Sequence, residues 1–201
     1  MTSSSFLRNP PPEIAKRLPP GQVLTEKFPV LQFGQVPSYP DLSGWDFRVW
    51  GAVEQPFTLK WAEVRALPVR QVTLDIHCVT RWSKLDTAWE GAPITHLAET
   101  AGLQPAAKHV IFHSEYGYTA NVPLEIALQP DALIAWSYDG RPLEPEHGYP
   151  LRSLIPGRYF WKSAKWLRGI EFSVEDHPGF WERNGYNNNA DPWREERYSD
   201  G

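Results

Sequence analysis

Proline and glycine recur along the whole chain, 20 and 14 times in 201 residues, and nowhere gather into one linker. Proline fixes φ and removes a backbone donor, and glycine opens the left-handed region, so both interrupt regular elements. A chain punctuated this way folds as many short elements joined by ordered loops. Between the breaks, alternating apolar and β-branched runs predict strands over Trp45–Trp50, Gln71–His77, Lys108–Phe112, Tyr118–Val122, Leu133–Tyr138, Leu151–Ile155 and Leu167–Val174. Asp139–Gly140 is a hairpin turn signal. Helical patterns cover Pro12–Leu18, the stretch after an N-cap at Thr58, Pro93–Ala101 before Gly102, and Pro123–Leu128. Beyond Glu175 the chain reads as aromatic loop. Strands and helices do not alternate regularly, so the prediction is an α+β domain with a mixed-sheet core and long ordered loops. Residues 1–22 read as an N-terminal arm and residues 23–201 as a single domain.

Composition narrows the function. The formal net charge is −4 and no Lys/Arg-rich run is present, which argues against a nucleic-acid partner. No run approaches the roughly 18 apolar residues of a membrane-spanning helix. The first residues show neither the apolar stretch of a secretory signal nor a twin-Arg pair, so the expected location is cytoplasmic. A single cysteine excludes an intramolecular disulfide and any multi-cysteine zinc or iron–sulfur site. Ten tryptophans exceed what a core of this size needs, and aromatics also line ligand pockets.

That cysteine, Cys78, stands where a predicted strand ends, in DIHCVTRW. A thiolate is a soft metal ligand, and His77 and Arg81 are nearby sources of positive charge. HGYPLR (His147–Arg152) and WKSAKW (Trp161–Trp166) are basic, donor-rich and loop-like, suited to a phosphate and a polar heterocycle. No Walker, GxGxxG or HExxH motif competes with them. From the residues alone three readings stand: a redox enzyme, a non-catalytic cofactor-binding protein, and a hydrolase with Cys78 as nucleophile and His77 or His113 as base.

Cys78 in HCVTRWS, WEGAPI at 89–94, HGYPLR, WKSAKWLRGIEF and the tail PGFWERNGY at 178–186 together resemble the molybdopterin-binding domain of sulfite-oxidase-like oxidoreductases. The resemblance covers about residues 20–198 and is similar in extent to the haem-free bacterial members and to the catalytic subunit of methionine-sulfoxide reductases. It implies a mixed-sheet sulfite-oxidase-type fold, a molybdenum–molybdopterin cofactor without haem, and oxygen-atom transfer on a small molecule. It further implies an electron-transfer partner, because the chain has no haem motif and too few cysteines for a cluster. Cys78 matches the molybdenum ligand. His147, Arg152, Lys162, Ser163, Ala164 and Lys165 match residues that hold the pterin and its phosphate. Phe33 and Ser114 match pterin-lining positions more loosely. Tyr186, with Arg81, completes the implied catalytic group, although a packed loop aromatic explains Tyr186 equally well. Trp82, Trp161, Trp166 and Trp181 are the expected aromatic rim. One departure bears on substrate. True sulfite oxidases carry an Arg-Asn-His run where this chain has Leu31, Gln32 and Phe33 before Val36–Pro37. A neutral S-oxide or N-oxide is therefore expected in preference to sulfite.

Overall fold

The computed structural model describes residues 6, 7 and 10–199; the rest of the expected arm, residues 1–5, 8 and 9, lies outside the described residues. The chain begins with β1 (Phe6–Leu7), a helical turn α1 (Pro12–Ala15), β2 (Val23–Thr25), β3 (Asp46–Gly51) and β4 (Phe57–Lys60). Helix α2 (Trp61–Arg65) leads into β5 (Arg70–His77) and β6 (Trp82–Pro93), and α3 (Ile94–Ala101) follows. Then come β7 (His109–Ser114), β8 (Thr119–Pro123), α4 (Leu124–Ala127), β9 (Leu133–Tyr138), β10 (Arg141–Pro142), β11 (Arg152–Leu154) and β12 (Leu167–Ser173). A short helix α5 (Phe180–Arg183) lies in the tail.

The strands form two mixed sheets, in keeping with an α+β domain with a mixed-sheet core. In the first, β6 pairs with β2 in parallel and with β5 and β9 antiparallel, and β9 also carries β10 and β11. The second runs β4-β3-β12-β7-β8, with only β3–β12 parallel. Phe47, Val110, Phe112, Ile170 and Phe172 of the second sheet meet Ala92, Ile134 and Trp136 of the first in one buried core. Helix α3 seals that core with Ile94, Leu97, Ala98 and Ala101, the i, i+3, i+4, i+7 stripe of an amphipathic helix. Gly102 ends it in the left-handed conformation at φ 66°.

Two expectations change. The helix placed after Thr58 starts at Trp61, because Phe57 and Leu59 alternate inward and pair along the edge of β3. The longest strand, β6, was not anticipated; its WSKLDTAWEGAP sequence carries charge, glycine and proline, and its pairing on both edges holds it extended. Among the described arm residues, Arg17 bridges Asp75 and Asp86 at 2.6 Å each and ties the arm to the β5–β6 hairpin. No helix among the described residues is long and apolar enough to cross a membrane.

The register of β6 on β9 shifts between Glu90 and Gly91, and a Cβ on Gly91 would run into the Ile134 carbonyl. Gly91→Ala is therefore expected to cost about 2–4 kcal/mol by forcing strand displacement. Gly44→Ala, whose Cβ would meet nothing within 4 Å, is expected to stay within about 0.5 kcal/mol. Urea denaturation midpoints of the two variants check this.

Candidate active site

Cys78 opens the turn of the β5–β6 hairpin. Its backbone N–H donates to Trp82 (2.8 Å) and its carbonyl accepts from Arg81 N–H (3.0 Å). Arg81 closes the turn at φ 74°. The apolar residues around it, Ile76, Trp82, Trp89 and Leu154, bury the sulfur. Burial pushes the thiol pKa up, while the Thr80 hydroxyl, donating to Sγ at 3.2 Å, and Arg197 pull it back. His77 points to the opposite face, as strand alternation requires, and holds Ser83 Oγ at 2.8 Å. Burial drops His77 to about 4, so it carries no charge at neutral pH.

The sulfur lies in the wall of a cavity of about 420 Å³. His147, Arg152, Ser163, Ala164 and Lys165 line it too, as do Phe33 and Tyr186, so the two basic motifs converge on the cysteine. All four of the expected rim tryptophans, Trp82, Trp161, Trp166 and Trp181, are in the lining. Tyr186 stacks on Trp181 at 4.8 Å and meets Trp161 edge-on at 5.0 Å. Burial raises the Tyr186 pKa, so its hydroxyl keeps its proton. Residues 26–45 carry no helix or strand; Phe28, Pro29 and residues 31–35 of this stretch line the cavity, and Phe28 stacks on His147 at 3.9 Å.

Arg152 is 1% exposed. Its guanidinium donates to the carbonyls of His147 and Ser163 at 2.8 Å each and sits 4.3 Å over the Phe160 ring. Lys165 donates to the Glu146 carbonyl at 2.7 Å. Among the described residues neither cation forms a salt bridge, whereas Arg17, Lys162 and Arg168 each hold a carboxylate. Burial, then the field of Arg152, lowers Lys165 from its ordinary 10.5 to about 7. Burial, with Arg152 and Lys165 adding to it, lowers His147 to about 4.

Three of the expected residues stand apart from the cavity. Lys162 turns inward from a 3₁₀ turn, fully buried, and spends its amine on Glu182 (2.6 Å) and Asn121 (3.1 Å). Arg81 is exposed, because its left-handed conformation carries the side chain outward beside Gly21. Ser114 is buried at the end of β7 with its hydroxyl unpartnered, one residue before the lining residue Glu115. Ser163 and Ala164 contribute shape more than free donors. Ser163 Oγ accepts from Ile155 N–H, and Ala164 N–H donates to Ser153 Oγ. Sequence reasoning missed Gln22, Thr80 and Arg197 around Cys78. Of these only Thr80, two residues from the cysteine, carried a signal. His113 lies on the second sheet, bonded to Glu171 at 2.8 Å, and neither it nor His77 is in the cavity lining, so neither of the bases expected for the hydrolase reading stands in the cavity.

The sequence matches the family described as the oxidoreductase molybdopterin binding domain over residues 33–181. The chain belongs to this family. It is 50% identical over 183 residues to the uncharacterized oxidoreductase YuiH of Bacillus subtilis (strain 168), covering 91% of this chain and 92% of that protein. It is 31% identical over 172 residues to the putative protein-methionine-sulfoxide reductase subunit YedZ1 of Azospira oryzae, covering 84% of this chain and 64% of that one. Among solved structures, the sulfane dehydrogenase SoxCD from Paracoccus pantotrophus shares the fold, with a TM-score of 0.63 at 19% identity over 74% of this chain and 42% of that chain. The chain thus spans nearly all of the Bacillus protein but less than two thirds of the other two.

A member of this family binds a molybdenum cofactor, and the residues present fit one. A cation withdrawn from water without an anion is costly, and this cavity has the buried Arg152 and the half-buried Lys165 in its wall. A phosphate group would supply the missing charge. The aromatic faces of Phe28, Trp161 and Trp166 suit a flat heterocycle.

The Lys165 shift gives a pH signature in cofactor-free protein. The amine is protonated up to 10.5 in the unfolded chain but only to about 7 in the folded one. Between those values the unfolded state binds more protons, so the penalty for burying the charge is full below about pH 7 and is relieved as pH rises. The native state should gain stability from about pH 7 to about pH 9 relative to Lys165→Met, in which this contribution is absent. Urea midpoints across that range check it, and loading with the cofactor, whose phosphate holds the lysine charged, should flatten the rise.

Proposed function

We propose that this chain is a cytoplasmic molybdenum–molybdopterin oxidoreductase in which Cys78 ligates the metal and an oxygen atom is transferred between the centre and a small neutral S-oxide or N-oxide. One observation carries the reading: the only cysteine sulfur stands in the wall of a cavity whose two cations, the buried Arg152 and the half-buried Lys165, form no salt bridge among the described residues. Among the described residues no group of three His, Cys, Asp or Glu side chains is arranged to hold a metal by itself. That suits a metal brought by an organic cofactor and completed by one thiolate. When bound, the cofactor supplies a metal that exchanges an oxygen atom together with two electrons.

The chain's own residues divide the remaining work. Arg152 and Lys165 hold the phosphate by charge-assisted hydrogen bonds. His147, neutral at neutral pH, contributes a hydrogen bond and a ring face. Tyr186 Oη keeps its proton and donates a hydrogen bond to a substrate oxygen. Phe33, Phe180 and Trp181, packed together at 4.5–6.0 Å, narrow the mouth and exclude water. Electrons pass to or from a separate one-electron partner.

The substrate class follows from charge. The segment over the mouth contributes Phe28, Leu31, Gln32, Phe33 and Gln35 to the lining, none of them charged. Both lining cations are engaged by the cofactor in this reading, so a doubly charged anion finds no compensation, and burying it unpaired is expensive. A neutral oxide with an apolar body meets no such penalty. The name of the Azospira relative, a protein-methionine-sulfoxide reductase subunit, points the same way.

Protein from a cofactor-competent host should contain molybdenum and pterin. Its kcat/KM for dimethyl sulfoxide or trimethylamine N-oxide with a reduced viologen should exceed that for sulfite with ferricyanide. A preference for sulfite would overturn the substrate assignment, and pterin without turnover would make the chain a carrier. Cys78→Ser should abolish turnover while changing stability by only about 1 kcal/mol, since the replacement is nearly isosteric; full activity in that variant would remove Cys78 from the metal.

A further inference from the structure

The turn that presents Cys78 is held by both ends of the chain. From the N-terminal side, Gln22 Nε2 donates to the Cys78 carbonyl at 3.0 Å. From the tail, Arg197 donates through Nη1 to the Val79 carbonyl at 2.7 Å and through Nη2 to Pro20 at 3.3 Å. Gln22 and Arg197 both lie outside residues 33–181, the span that the family match describes.

Arg197 is an unusual residue for a polar tail. It is 5% exposed, its guanidinium lies 4.9 Å over the Tyr159 ring, and its Nε has no partner. The carboxylate it approaches, Glu195, is 3.8 Å away and half-exposed, so the charge is poorly compensated. Arg194, three residues earlier, is by contrast solvent-facing, with a side chain 71% exposed. Burying a guanidinium costs free energy that its hydrogen bonds to the Cys78 turn and to Pro20 only partly offset. Arg81, the arginine nearest the cysteine in sequence, sits outside, and its side chain makes no hydrogen bond to the turn among the described residues.

We propose that Arg197 is a positioning residue for Cys78: its fork fixes the Val79 carbonyl, and with it the turn that aims the sulfur into the cavity, while its charge offsets the negative charge collected on the sulfur and the bound cofactor. The inference rests on Cys78 being the metal ligand. Groups behind a metal ligand orient it and tune the centre, and their loss typically costs about 10- to 100-fold in metal affinity or activity. A buried positive charge also favours the more reduced state of a nearby centre, so its removal lowers the reduction potential.

The test uses molybdenum-loaded protein carrying Arg197→Met, Arg197→Lys, Arg194→Met or Cys78→Ser. Two quantities are read: the midpoint potential of the metal in a redox titration, and the molybdenum retained after gel filtration. Arg197→Met is expected to lower the potential and to lose molybdenum about tenfold faster. Arg197→Lys is expected to keep the potential near that of the parent, because the charge remains, but to retain less metal, because the fork is gone. Arg194→Met is expected to match the parent. An Arg197→Met protein indistinguishable from Arg194→Met overturns the proposal, and so does an Arg197→Lys protein whose potential falls as far as that of Arg197→Met. If Arg197→Met does not accumulate folded, Arg197→Lys decides alone: less metal at an unchanged potential supports the proposal, and unchanged retention overturns it. Cys78→Ser separates the two levels. Metal kept at an unchanged potential in that variant defeats the ligand assignment itself. Metal lost or shifted there, with Arg197→Met unaffected, defeats only the role of Arg197.

Discussion

A guanidinium buried without a carboxylate is the constraint around which this molecule is arranged. Arg152 sits in β11 at 1% exposure, and its fork joins the carbonyls of His147 and Ser163, in two loops that Lys165 and Trp166 also tie together through the carbonyls of Glu146 and Pro145. The aromatic faces of Phe160 and Trp89, 4.3 and 5.4 Å from the guanidinium, replace part of the lost hydration. Carbonyls and rings hold the side chain in place but leave its charge uncancelled. Lys165 adds a second charge to the same space. A folded chain with such an interior has a standing requirement for an anion, and ligand binding and fold stability are coupled through it.

The rest of the cavity complements that requirement by being nearly charge-free. His147 is held neutral, Tyr186 keeps its proton, and the segment over the mouth offers only apolar and amide groups. Positive charge is thus concentrated at Arg152 and Lys165, where the proposed phosphate would sit, and the segment over the mouth carries none. The buried ion pair near the site, Lys162–Glu182, is neutral as a unit and holds the tail in place. Glu182 accepts from Trp161 as well, and Asn121 bonds both Lys162 and the backbone of Gly179, so the network fixes α5 and the aromatic wall that follows it.

Much of this was legible in the sequence, and the failures have physical causes. The strand ending at His77 and the cysteine after it were visible because alternation stops abruptly there. The hairpin at Asp139–Gly140 was visible because both residues take positive φ, at 48° and 72°. Strand β6 was not, since its extended form is imposed by partners on both edges and not by its own residues. The two basic motifs announced Arg152 and Lys165, yet within WKSAKW nothing distinguishes the lysine that faces the cavity from the one that faces Glu182. A single 3₁₀ turn makes that choice. Likewise Arg194 and Arg197 are equivalent as letters in a charged tail. Only the bridge between Tyr186 and Tyr198, which folds the tail back, buries one and exposes the other.

The topology also orders events in time. Strand β12 lies between β3 and β7 in the second sheet, so residues 167–173 occupy the middle of a sheet whose other strands are synthesised earlier. The Cys78 turn likewise awaits Arg197, almost the last residue described. A nascent chain that has emerged only as far as β11 therefore has neither a closed second sheet nor a complete pocket. Synthesis runs from the N-terminus, and domains fold as units. The Cys78 wall of the cavity is therefore complete only once Gln22 and Arg197, far apart in the sequence, have met around that turn.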